Sequence, residues 1–211
     1  MILTVGNTKG GVGKTSIAVN IAIARASQGR DTLLVDGDEQ GTAASFTVLR
    51  TDQQAQPGYT AVTLIGAALR TQVRQMTPKY DDIVIDCGGH DTGSFRAALT
   101  VTDKLLVPVQ PRSFDVWALD QVAALVEEAR TINGRLQPFL VLSIADPIGR
   151  DNAEAAEVLA QTDGFYYLQT PIVRRKAWPN AAAAGLSVLE CAPRDAKAIA
   201  ELNALVSALY P

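Results

Sequence analysis

A glycine-rich loop near the beginning of the chain constrains the fold more than any other feature of the sequence. The segment 6–16 reads GNTKGGVGKTS, and it lies between an apolar run, Ile2–Val5, and a segment whose apolar residues recur every three or four positions. The glycines let the backbone turn so that successive amides face inward and form a concave anion nest. We therefore predict a buried strand, a phosphate-binding loop and a helix that begins at Lys14.

The residues at the end of the loop suit a nucleotide phosphate chain and its magnesium ion. A helix that begins at Lys14 directs its free amides and the positive end of its dipole toward a phosphate. Lys14 itself would contact the outer phosphates, and the hydroxyl of Thr15 would bind Mg²⁺. Thr8 occupies a position where the standard pattern has glycine, so the match has one departure. The alternative interpretation is a glycine-rich turn that only joins a strand to a helix.

A second lysine, Lys9, lies four residues before Gly13, and taken alone it could be a solvated loop residue. The run KGGVGKT, however, resembles the deviant Walker A loop of the ParA/MinD family of ATPases. In that family the early lysine reaches across a dimer to the nucleotide held by the other subunit, where a cation stabilises the charge that spreads during phosphoryl transfer. The resemblance implies that the chain binds ATP or ADP, forms a homodimer when ATP is bound, and uses Lys9 and Lys14 in catalysis. The nucleotide-binding residues that it implies in this loop are Lys9, Gly10, Gly11, Val12, Gly13, Lys14, Thr15 and Ser16.

Short β-branched runs alternate with helical patterns along the whole chain. The predicted strands are Ile2–Val5, Thr32–Val35, Ile83–Ile85, Lys104–Val109, Phe139–Ile144 and, with a weaker pattern, Tyr166–Leu168. The predicted helices are Lys14–Ser27, Leu64–Met76, Gly93–Val101, Val116–Ile132, Ala153–Gln161 and Ala196–Leu209. The polar stretch Thr51–Gly58 is expected to be a surface loop. This alternation predicts a doubly wound α/β fold, a mostly parallel sheet with helices on both faces, in a single P-loop ATPase domain over residues 1–211.

Composition limits the partners and the location of the chain. Its 211 residues are 47% apolar, enough for a full core, and its net charge of −3 argues against a protein that coats nucleic acid with its whole surface. Any nucleic-acid contact must therefore come from a local basic patch. The two cysteines, Cys87 and Cys191, lack the spacing of a metal site, and no apolar run approaches the ~20 residues of a membrane span. With no signal peptide in the sequence, we expect a cytoplasmic protein.

Carboxylates follow two of the predicted strands, at the edge of the sheet where the phosphate loop is expected. The second strand leads into DGDEQ, residues 36–40, and the third leads into Asp86. Either group could instead cap a helix or form a turn. The run at 36–40 resembles the family's D-x-D-P-Q segment, with Glu39 in place of proline. The resemblance assigns Asp38 to positioning the attacking water and to the Mg²⁺ shell, Asp36 to the same polar network, and Asp86 to the Walker B site that holds Mg²⁺ or its water.

The magnesium site that the resemblance implies therefore comprises Thr15, Asp38 and Asp86. This set fits a cation that prefers oxygen ligands and keeps several of its waters. Gly88 and Gly89 stand where many relatives have two prolines, and they predict a more flexible switch segment after the Walker B strand.

Two further side chains near the expected site have open roles. His90 is the only histidine of the chain and follows the Walker B aspartate, so it is a conceivable base, although the family does not need one. Asp115 resembles a region that lines the nucleotide-dependent dimer interface, and a helix N-cap is an equal alternative. Cys87 is expected to pack in the core.

A basic cluster in the last third of the chain is the candidate for nucleic-acid contact. Arg174, Arg175 and Lys176 form the densest group of cations in the sequence. The segment around them resembles the late ParA segment in which relatives carry DNA-contacting basic residues and pass beside the adenine, which here implies Pro171 and Ile172 as nucleotide contacts. A few phosphate contacts would give weak, sequence-independent and salt-sensitive DNA binding. The alternative is a solvated basic turn.

The resemblance as a whole implies a small ParA-type ATPase that binds nonspecific DNA as a dimer, is stimulated by a ParB-like or other cargo-linked adaptor, and distributes a plasmid, a chromosome region or another large cargo over the nucleoid. The alternative is a MinD-like or adaptor-type positioning ATPase that acts through protein or membrane contacts without DNA. The last predicted helix has no basic residue after Lys197, so docking on a membrane through this tail is not expected. A third class, an ATP-dependent ligase or amide-forming synthase on the same scaffold, would need a second substrate pocket, for which the sequence shows no motif.

Overall fold

The computed structural model describes residues 1–89, 92–111, 116–148 and 150–211 of the chain. Within these residues seven strands form one sheet in the order β3-β2-β4-β1-β5-β6-β7, and every recorded strand pair is parallel. The strands are β1 (Ile2–Val5), β2 (Thr32–Asp36), β3 (Thr60–Thr63), β4 (Asp82–Asp86), β5 (Lys104–Val109), β6 (Gln137–Ala145) and β7 (Tyr166–Val173). The helices are α1 (Lys14–Ser27), α2 (Thr42–Gln54), α3 (Ala67–Met76), α4 (Thr92–Leu99), α5 (Val116–Arg130), α6 (Asp151–Ala160), α7 (Ala177–Ala183) and α8 (Ala196–Leu209), with a 3₁₀ turn at Thr77–Lys79.

Both faces of the sheet are buried, because successive residues of each strand point to opposite sides. One apolar layer packs against α1 and α8 and receives Leu34, Val84, Leu106 and Val141 from the strands. The other layer packs against α3, α4, α5 and α6 and receives Leu33, Ile83, Leu105 and Leu140. Cys87 lies in this second layer, as predicted for a packing residue. The predicted doubly wound α/β class is therefore confirmed.

The strand order places the phosphate loop at the point where the chain changes direction across the sheet. β1 lies between β4 and β5, and the chain builds the sheet toward β3 on one side and toward β7 on the other. In the parallel register Val5 pairs with Asp86, and Asp86 pairs with Asp36 on the next strand. Ligands of such sheets bind at the carboxyl ends of the strands near this switch point. The loop and both aspartates meet there.

Three elements of the structure were not predicted from the sequence. The helix α2 continues through Gln54, so the prediction of a surface loop over Thr51–Gly58 is wrong for residues 51–54. Its buried apolar residues are only Ala43 and Phe46, and such a narrow stripe gives a weak helical period. The strand β3 lies at the edge of the sheet with mostly exposed residues, and α7 is a single short segment of seven residues.

Two predicted boundaries shift by three residues or more, and several others shift by one or two residues. The helix predicted from Leu64 begins at Ala67, because Gly66 adopts φ +60° and Leu64 packs separately in the core. The weakly patterned strand at Tyr166 extends to Val173, so that Pro171 lies within β7. No helix in the described ranges combines the length and apolar character that crossing a bilayer requires.

Candidate functional site

The loop between β1 and α1 has the backbone geometry of an anion nest. Gly11 and Gly13 have φ values of +72° and +87°, which side chains disfavour. Gly13 is the N-cap of α1, and within the described chain no side chain caps it, so the first amides of the helix remain directed toward the loop. The buried Asn7 anchors the loop: its side-chain amide donates to the Pro108 carbonyl at 2.8 Å, and its side-chain oxygen accepts from the Lys9 amide at 3.0 Å. The loop is thus held in a shape that suits a phosphate.

Lys14 lies inside this loop with only 8% of its surface exposed. Its ammonium group donates to the carbonyl oxygen of Lys9 at 2.7 Å. Burial lowers the pKa of Lys14, and the carboxylates of Asp86 and Asp38 oppose that shift. Because its carbonyl oxygen accepts this hydrogen bond from Lys14, the half-buried Lys9 contacts the site through its backbone. A phosphate that entered the loop would offer Lys14 a stronger, charge-assisted acceptor than this carbonyl.

Asp86 is the most perturbed acidic group of the site. Burial raises the pKa of its carboxyl group to about 7, with a further raising effect from the neighbouring carboxylates of Asp36 and Asp38. The Thr15 hydroxyl and the Lys14 ammonium lower that pKa and so lie close to the carboxylate. Even so, neither carboxylate oxygen of Asp86 has a hydrogen bond of good geometry from any residue that the structure describes.

These residues fit the magnesium ion that the fold implies. An unpaired buried carboxylate is costly, and a cation beside it removes that cost. Among the described residues no three His, Cys, Asp or Glu side chains form a preformed metal cluster. Mg²⁺ does not require one, because it keeps several waters and binds phosphate oxygens together with one or two protein groups. Thr15 and Asp86 would supply these groups directly or through water.

Asp36 and Asp38 have different tasks in the turn after β2. The carboxylate of Asp36 accepts from the amides of Asp38 at 3.1 Å and Ala44 at 2.7 Å, so it shapes the turn and the start of α2. Burial raises the pKa of Asp36, and these amides counteract the shift. Among the residues that the structure describes, Asp38 accepts a hydrogen bond from the nearby Gln40 amide at 3.1 Å, and Asp38 lines the cavity in front of the loop. Asp38 is therefore the carboxylate available to a water in that cavity.

The glycine pair after β4 brings this segment into contact with both the loop and Asp38. A Cβ atom on Gly88 would lie 2.5 Å from the carboxyl carbon of Asp38. A Cβ atom on Gly89 would lie between 3.0 and 3.2 Å from backbone atoms of Thr8, Lys9 and Gly10. Only glycines allow so close an approach. The expectation of a flexible segment here remains a prediction, and His90 lies outside the described residues.

Two cavities open on either side of the start of α1. The first has a volume of about 450 Å³ and faces the phosphate loop. It is lined by Gly10, Gly11, Gly13, Lys14, Thr15, Ser16, Asp38, Gln40, Thr42 and Gly89. The second, of about 490 Å³, is mostly apolar. Its lining residues are Gly13, Ser16, Ile17, Gln110, Ser143, Ile144, Ile172, Val173, Arg174, Arg175, Trp178, Pro179 and Ala182. Both cavities share Gly13 and Ser16, so they form adjoining parts of one site.

The structure brings some of the predicted nucleotide contacts into these cavities and leaves others beside them. Ile172 lines the apolar cavity, whereas its neighbour Pro171 lies in β7 and lines neither cavity. Val12 is buried and lines neither cavity. Asp115 lies outside the residues that the structure describes.

The predicted DNA-binding cations differ in their surroundings. Arg175 forms an ion pair with Glu201 of α8, with Nε 2.8 Å and Nη2 2.6 Å from the same carboxylate oxygen. Arg174 and Lys176 are exposed on either side of it. The cluster thus presents two solvent-facing cations, and the charge of the third is largely matched by Glu201.

Several residues of the site were not found by sequence reasoning. Asn20 of α1 donates to the Ser16 carbonyl at 2.8 Å and accepts from Ser187 and Val188, so it joins the loop helix to the segment before α8. A polar side chain among the apolar positions of the predicted helix is the sequence feature that could have indicated this role for Asn20. Ser143 and Trp178 reach the apolar cavity only through tertiary packing, which no local pattern reveals.

Comparison with known proteins agrees with this site. The family profile described as the CobQ/CobB/MinD/ParA nucleotide binding domain matches residues 3–207. The maintenance of carboxysome distribution protein A of Halothiobacillus neapolitanus is 30% identical over 213 aligned positions, covering 99% of this chain and 96% of that protein.

Two solved structures have the same fold at low sequence identity. A plasmid partition protein from Borrelia burgdorferi bound to AMPPNP superposes with a TM-score of 0.77 at 20% identity, covering 99% of this chain and 98% of its own. Cobyrinic acid a,c-diamide synthase from Mycobacterium smegmatis, with a bound ATP analogue and magnesium, gives a TM-score of 0.76 at 20% identity, covering 99% and 93%. With its phosphate loop, its paired strand-end aspartates and the matched profile, the chain belongs to the CobQ/CobB/MinD/ParA family of nucleotide-binding domains.

Proposed function

We propose that this chain is a ParA-type ATPase that hydrolyses ATP with Mg²⁺ and uses the cycle to distribute a large cargo in the cytoplasm. One observation carries the proposal: the phosphate loop, the buried Lys14, Thr15 and Asp38 meet at one cavity, and the buried carboxylate of Asp86 lies next to Lys14 and Thr15. An ATP phosphate chain with its cation satisfies each of these groups at once. A turn that only joins a strand to a helix would not explain why these groups are brought together.

The residues in and next to this cavity divide the tasks of hydrolysis. The loop amides and Lys14 hold the phosphates and withdraw charge from the terminal one. Thr15 and Asp86 hold Mg²⁺, which when bound neutralises charge on the outer phosphates. Asp38 accepts a hydrogen bond from the attacking water and orients it. Asp36 keeps Asp38 in place through the turn that its own carboxylate organises.

The ATP-bound form is a homodimer in this proposal, and Lys9 of each chain serves the site of its partner. The position of Lys9 supports this role, since it lies at the rim of the loop with its amide fixed by Asn7 and its carbonyl held by Lys14. A cation contributed across an interface makes hydrolysis depend on assembly.

The cargo is a large body rather than a small molecule. The carboxysome distribution relative covers almost the full length of the chain, which supports a positioning role. Arg174 and Lys176 would contact DNA phosphates without sequence preference, and dimerisation would double the number of contacts. A cargo-linked adaptor would stimulate hydrolysis and release the dimer from the nucleoid.

DNA binding tests this proposal when it is measured with ATP, with ADP and without nucleotide across a salt series. We expect binding only with ATP, with an affinity that falls steeply as salt rises. Arg174→Glu should weaken it, whereas Lys79→Glu makes the same charge change at an exposed position of the 3₁₀ turn and should weaken it less. Equal DNA affinity with ATP, with ADP and without nucleotide would contradict the proposal.

A second candidate is a positioning ATPase that acts through protein contacts without DNA. The ion pair between Arg175 and Glu201 favours it, because it leaves the basic cluster with fewer available cations. ATP-dependent sedimentation of the purified protein, together with no ATP-dependent DNA binding, would select this candidate over the first.

A further inference from the structure

We propose that Gln110 is a positioning residue of the phosphate loop: its side-chain amide holds the carbonyl of Gly11 and so keeps that oxygen turned away from the phosphates of the bound nucleotide. The inference rests on the proposed function, since it concerns the same phosphate chain. It adds a residue that lies outside the glycine-rich motif, directly after β5.

The peptide between Gly11 and Val12 is a part of the loop whose orientation needs such a contact. Gly10 and Gly11 are exposed, and a Cβ atom built on either of them would meet nothing within 4 Å. Packing therefore does not fix the loop at this point. Gly11 has φ +72°, and a glycine adopts other backbone angles at little cost, so the peptide that follows it could turn over.

The side-chain amide of Gln110 opposes this rotation. Its Nε2 donates to the carbonyl oxygen of Gly11 at 2.7 Å, a short and well-formed hydrogen bond. Gln110 is half-buried and follows a strand whose last five residues are buried, so its own backbone is held in place. The hydrogen bond thus ties the exposed glycines of the loop to the centre of the sheet.

The two cavities show on which side of the loop this contact lies. Gly11 lines the cavity that faces the phosphate loop, whereas Gln110 lines the apolar cavity and not the first one. The Gly11 carbonyl is therefore directed toward a side chain outside the phosphate-facing cavity. The C=O and N–H groups of a trans peptide point in opposite directions, so the N–H of this peptide is directed away from Gln110.

This orientation matters because the expected ligand is an anion. A carbonyl oxygen is a hydrogen-bond acceptor with partial negative charge, and it would repel phosphate oxygens, whereas a backbone N–H attracts them. If the peptide turned over, the loop would present an acceptor where the phosphates need a donor. Gln110 therefore favours the form of the loop that binds phosphate before the nucleotide arrives.

Two further hydrogen bonds join the loop to the same part of the chain. Asn7 donates to the Pro108 carbonyl at 2.8 Å, and the Thr8 hydroxyl donates to the Ala118 carbonyl at 3.3 Å. Thr8 is the residue that stands in place of the standard glycine, and its hydroxyl makes a contact that glycine could not make. Of these three contacts, the one from Gln110 reaches the exposed glycines.

Calorimetric titration of the full chain with ATP and with tripolyphosphate, each with Mg²⁺, tests the inference. Gln110→Met keeps the length of the side chain and removes its amide. We expect it to weaken the binding of both ligands about fivefold, because the contact concerns the phosphates and not the base. Turnover at saturating ATP should stay within about twofold of the wild type, since the loop holds the phosphates in the ground state and the transition state alike. Reduced turnover with unchanged affinity would overturn the inference.

A second variant and a matched control accompany this measurement. Gln110→Glu keeps the shape of the side chain and replaces the donor with a carboxylate, which repels both the Gly11 carbonyl and the phosphates. It should weaken tripolyphosphate binding more than Gln110→Met does, and wild-type affinity in this variant would overturn the inference. Gln137→Met is the control, because Gln137 is exposed and begins β6 at the opposite edge of the sheet. It should bind both ligands as the wild type does, and a loss equal to that of Gln110→Met would also overturn the inference.

An independent readout observes the peptide itself by NMR. Gly11 and Val12 form the only Gly-Val pair in the sequence, so glycine labelled with ¹³C at the carbonyl and valine labelled with ¹⁵N give one doubly labelled peptide. Gln110→Met should move the carbonyl carbon of Gly11 upfield, because the hydrogen bond is lost. Tripolyphosphate should move the amide proton of Val12 downfield in the wild type, and by less in Gln110→Met. A residue that only stabilised the fold would leave this signal unchanged.

The outcomes separate this inference from the proposed function. Wild-type protein that binds ATP, with equal tripolyphosphate affinity in Gln110→Met, overturns the role of Gln110 alone. A carbonyl signal that does not move in Gln110→Met does the same. A wild type that binds neither ATP nor tripolyphosphate overturns both the inference and the proposed function.

Discussion

At the scale of single residues, the buried carboxylate of Asp86 is the feature with the clearest physical consequence. Its pKa of about 7 lies above the ordinary value of an aspartic acid, so folding takes up a proton between about pH 4 and pH 7. The stability contributed by the protonated form is present at low pH and is lost as the pH rises through 7. In the absence of Mg²⁺ and nucleotide, this group therefore destabilises the native state at alkaline pH.

Thermal unfolding of the wild type and Asp86→Asn in a chelating buffer checks this prediction. The asparagine variant cannot ionise, so its advantage over the wild type should grow from pH 5 to pH 8 by on the order of 2 kcal/mol, or several degrees in Tm. Mg²⁺ with ATP should remove most of this difference by stabilising the wild type. A difference in Tm that does not change with pH would contradict the account of Asp86.

Gly88 supports a second prediction at this scale. In Gly88→Ala the new methyl group occupies the space of the Asp38 carboxylate, whose flexible side chain can move away without unfolding the protein. ATP binding should persist, while hydrolysis falls roughly tenfold or more because the attacking water loses its acceptor. Gly134→Ala is the matched control, since a Cβ atom there meets nothing within 4 Å. A Gly88→Ala protein with normal turnover would rule out this positioning of Asp38.

The residues of the site that could be predicted are those fixed by local sequence. The phosphate loop is specified by adjacent glycines and lysines, and Asp36, Asp38 and Asp86 follow apolar runs that end at one sheet edge. Trp178 could not be predicted, because its approach to the cavity depends on how β7 and α7 pack across the sheet.

At the scale of elements, α2 depends on one ion pair more than on its own apolar face. Arg50 is 5% exposed and forms a two-pronged contact with Glu190, at 2.8 Å and 2.7 Å, and further donates to the carbonyls of Pro57 and Gly185. Burial alone would raise the pKa of Glu190, but the hydrogen bonds from Arg50 and Ser187 lower it. This pair fastens α2 to the segment between α7 and α8. Because the ion pair helps to hold α2 in place, the helix needs few buried apolar residues, and its helical period in the sequence is therefore weak.

Urea unfolding of Arg50→Gln measures this contribution. We expect a loss of about 2–3 kcal/mol, below the usual cost of breaking a fully buried pair because a third of Glu190 is exposed. Arg96→Gln breaks an exposed pair with Glu128 and should cost less than about 1 kcal/mol. Equal losses in the two variants would show that α2 is held by other contacts.

The elements found from the sequence are the central ones. β1, β2, β4, β5 and β6 are apolar runs buried on both faces, and that burial leaves a continuous signal. β3 is an edge strand without a buried residue, and α7 buries only Trp178 and Ala181, so neither element leaves a clear apolar pattern in the sequence. The conformation of β3 and α7 is determined by packing and pairing with neighbouring elements more than by the composition of the two segments.

At the scale of the whole molecule, the proposal requires two chains to share their active sites. A mixture of two inactive variants distinguishes an active site that needs the partner chain from one that a single chain completes. Lys9→Ala lacks the shared cation, and Asp38→Ala lacks the residue that orients water. In a mixed dimer, the intact Asp38 of the first chain would face the intact Lys9 of the second. One site of such a dimer is therefore complete.

The steady-state ATPase rate of an equimolar mixture of Lys9→Ala and Asp38→Ala, compared with each variant alone, is the most direct test of this claim. Random pairing predicts that the mixture recovers about a quarter of the wild-type rate, because half of the dimers are mixed and each contains one complete site. Each variant alone should stay near the background rate. A mixture that is no more active than its components would contradict the shared site and, with it, the proposed cycle.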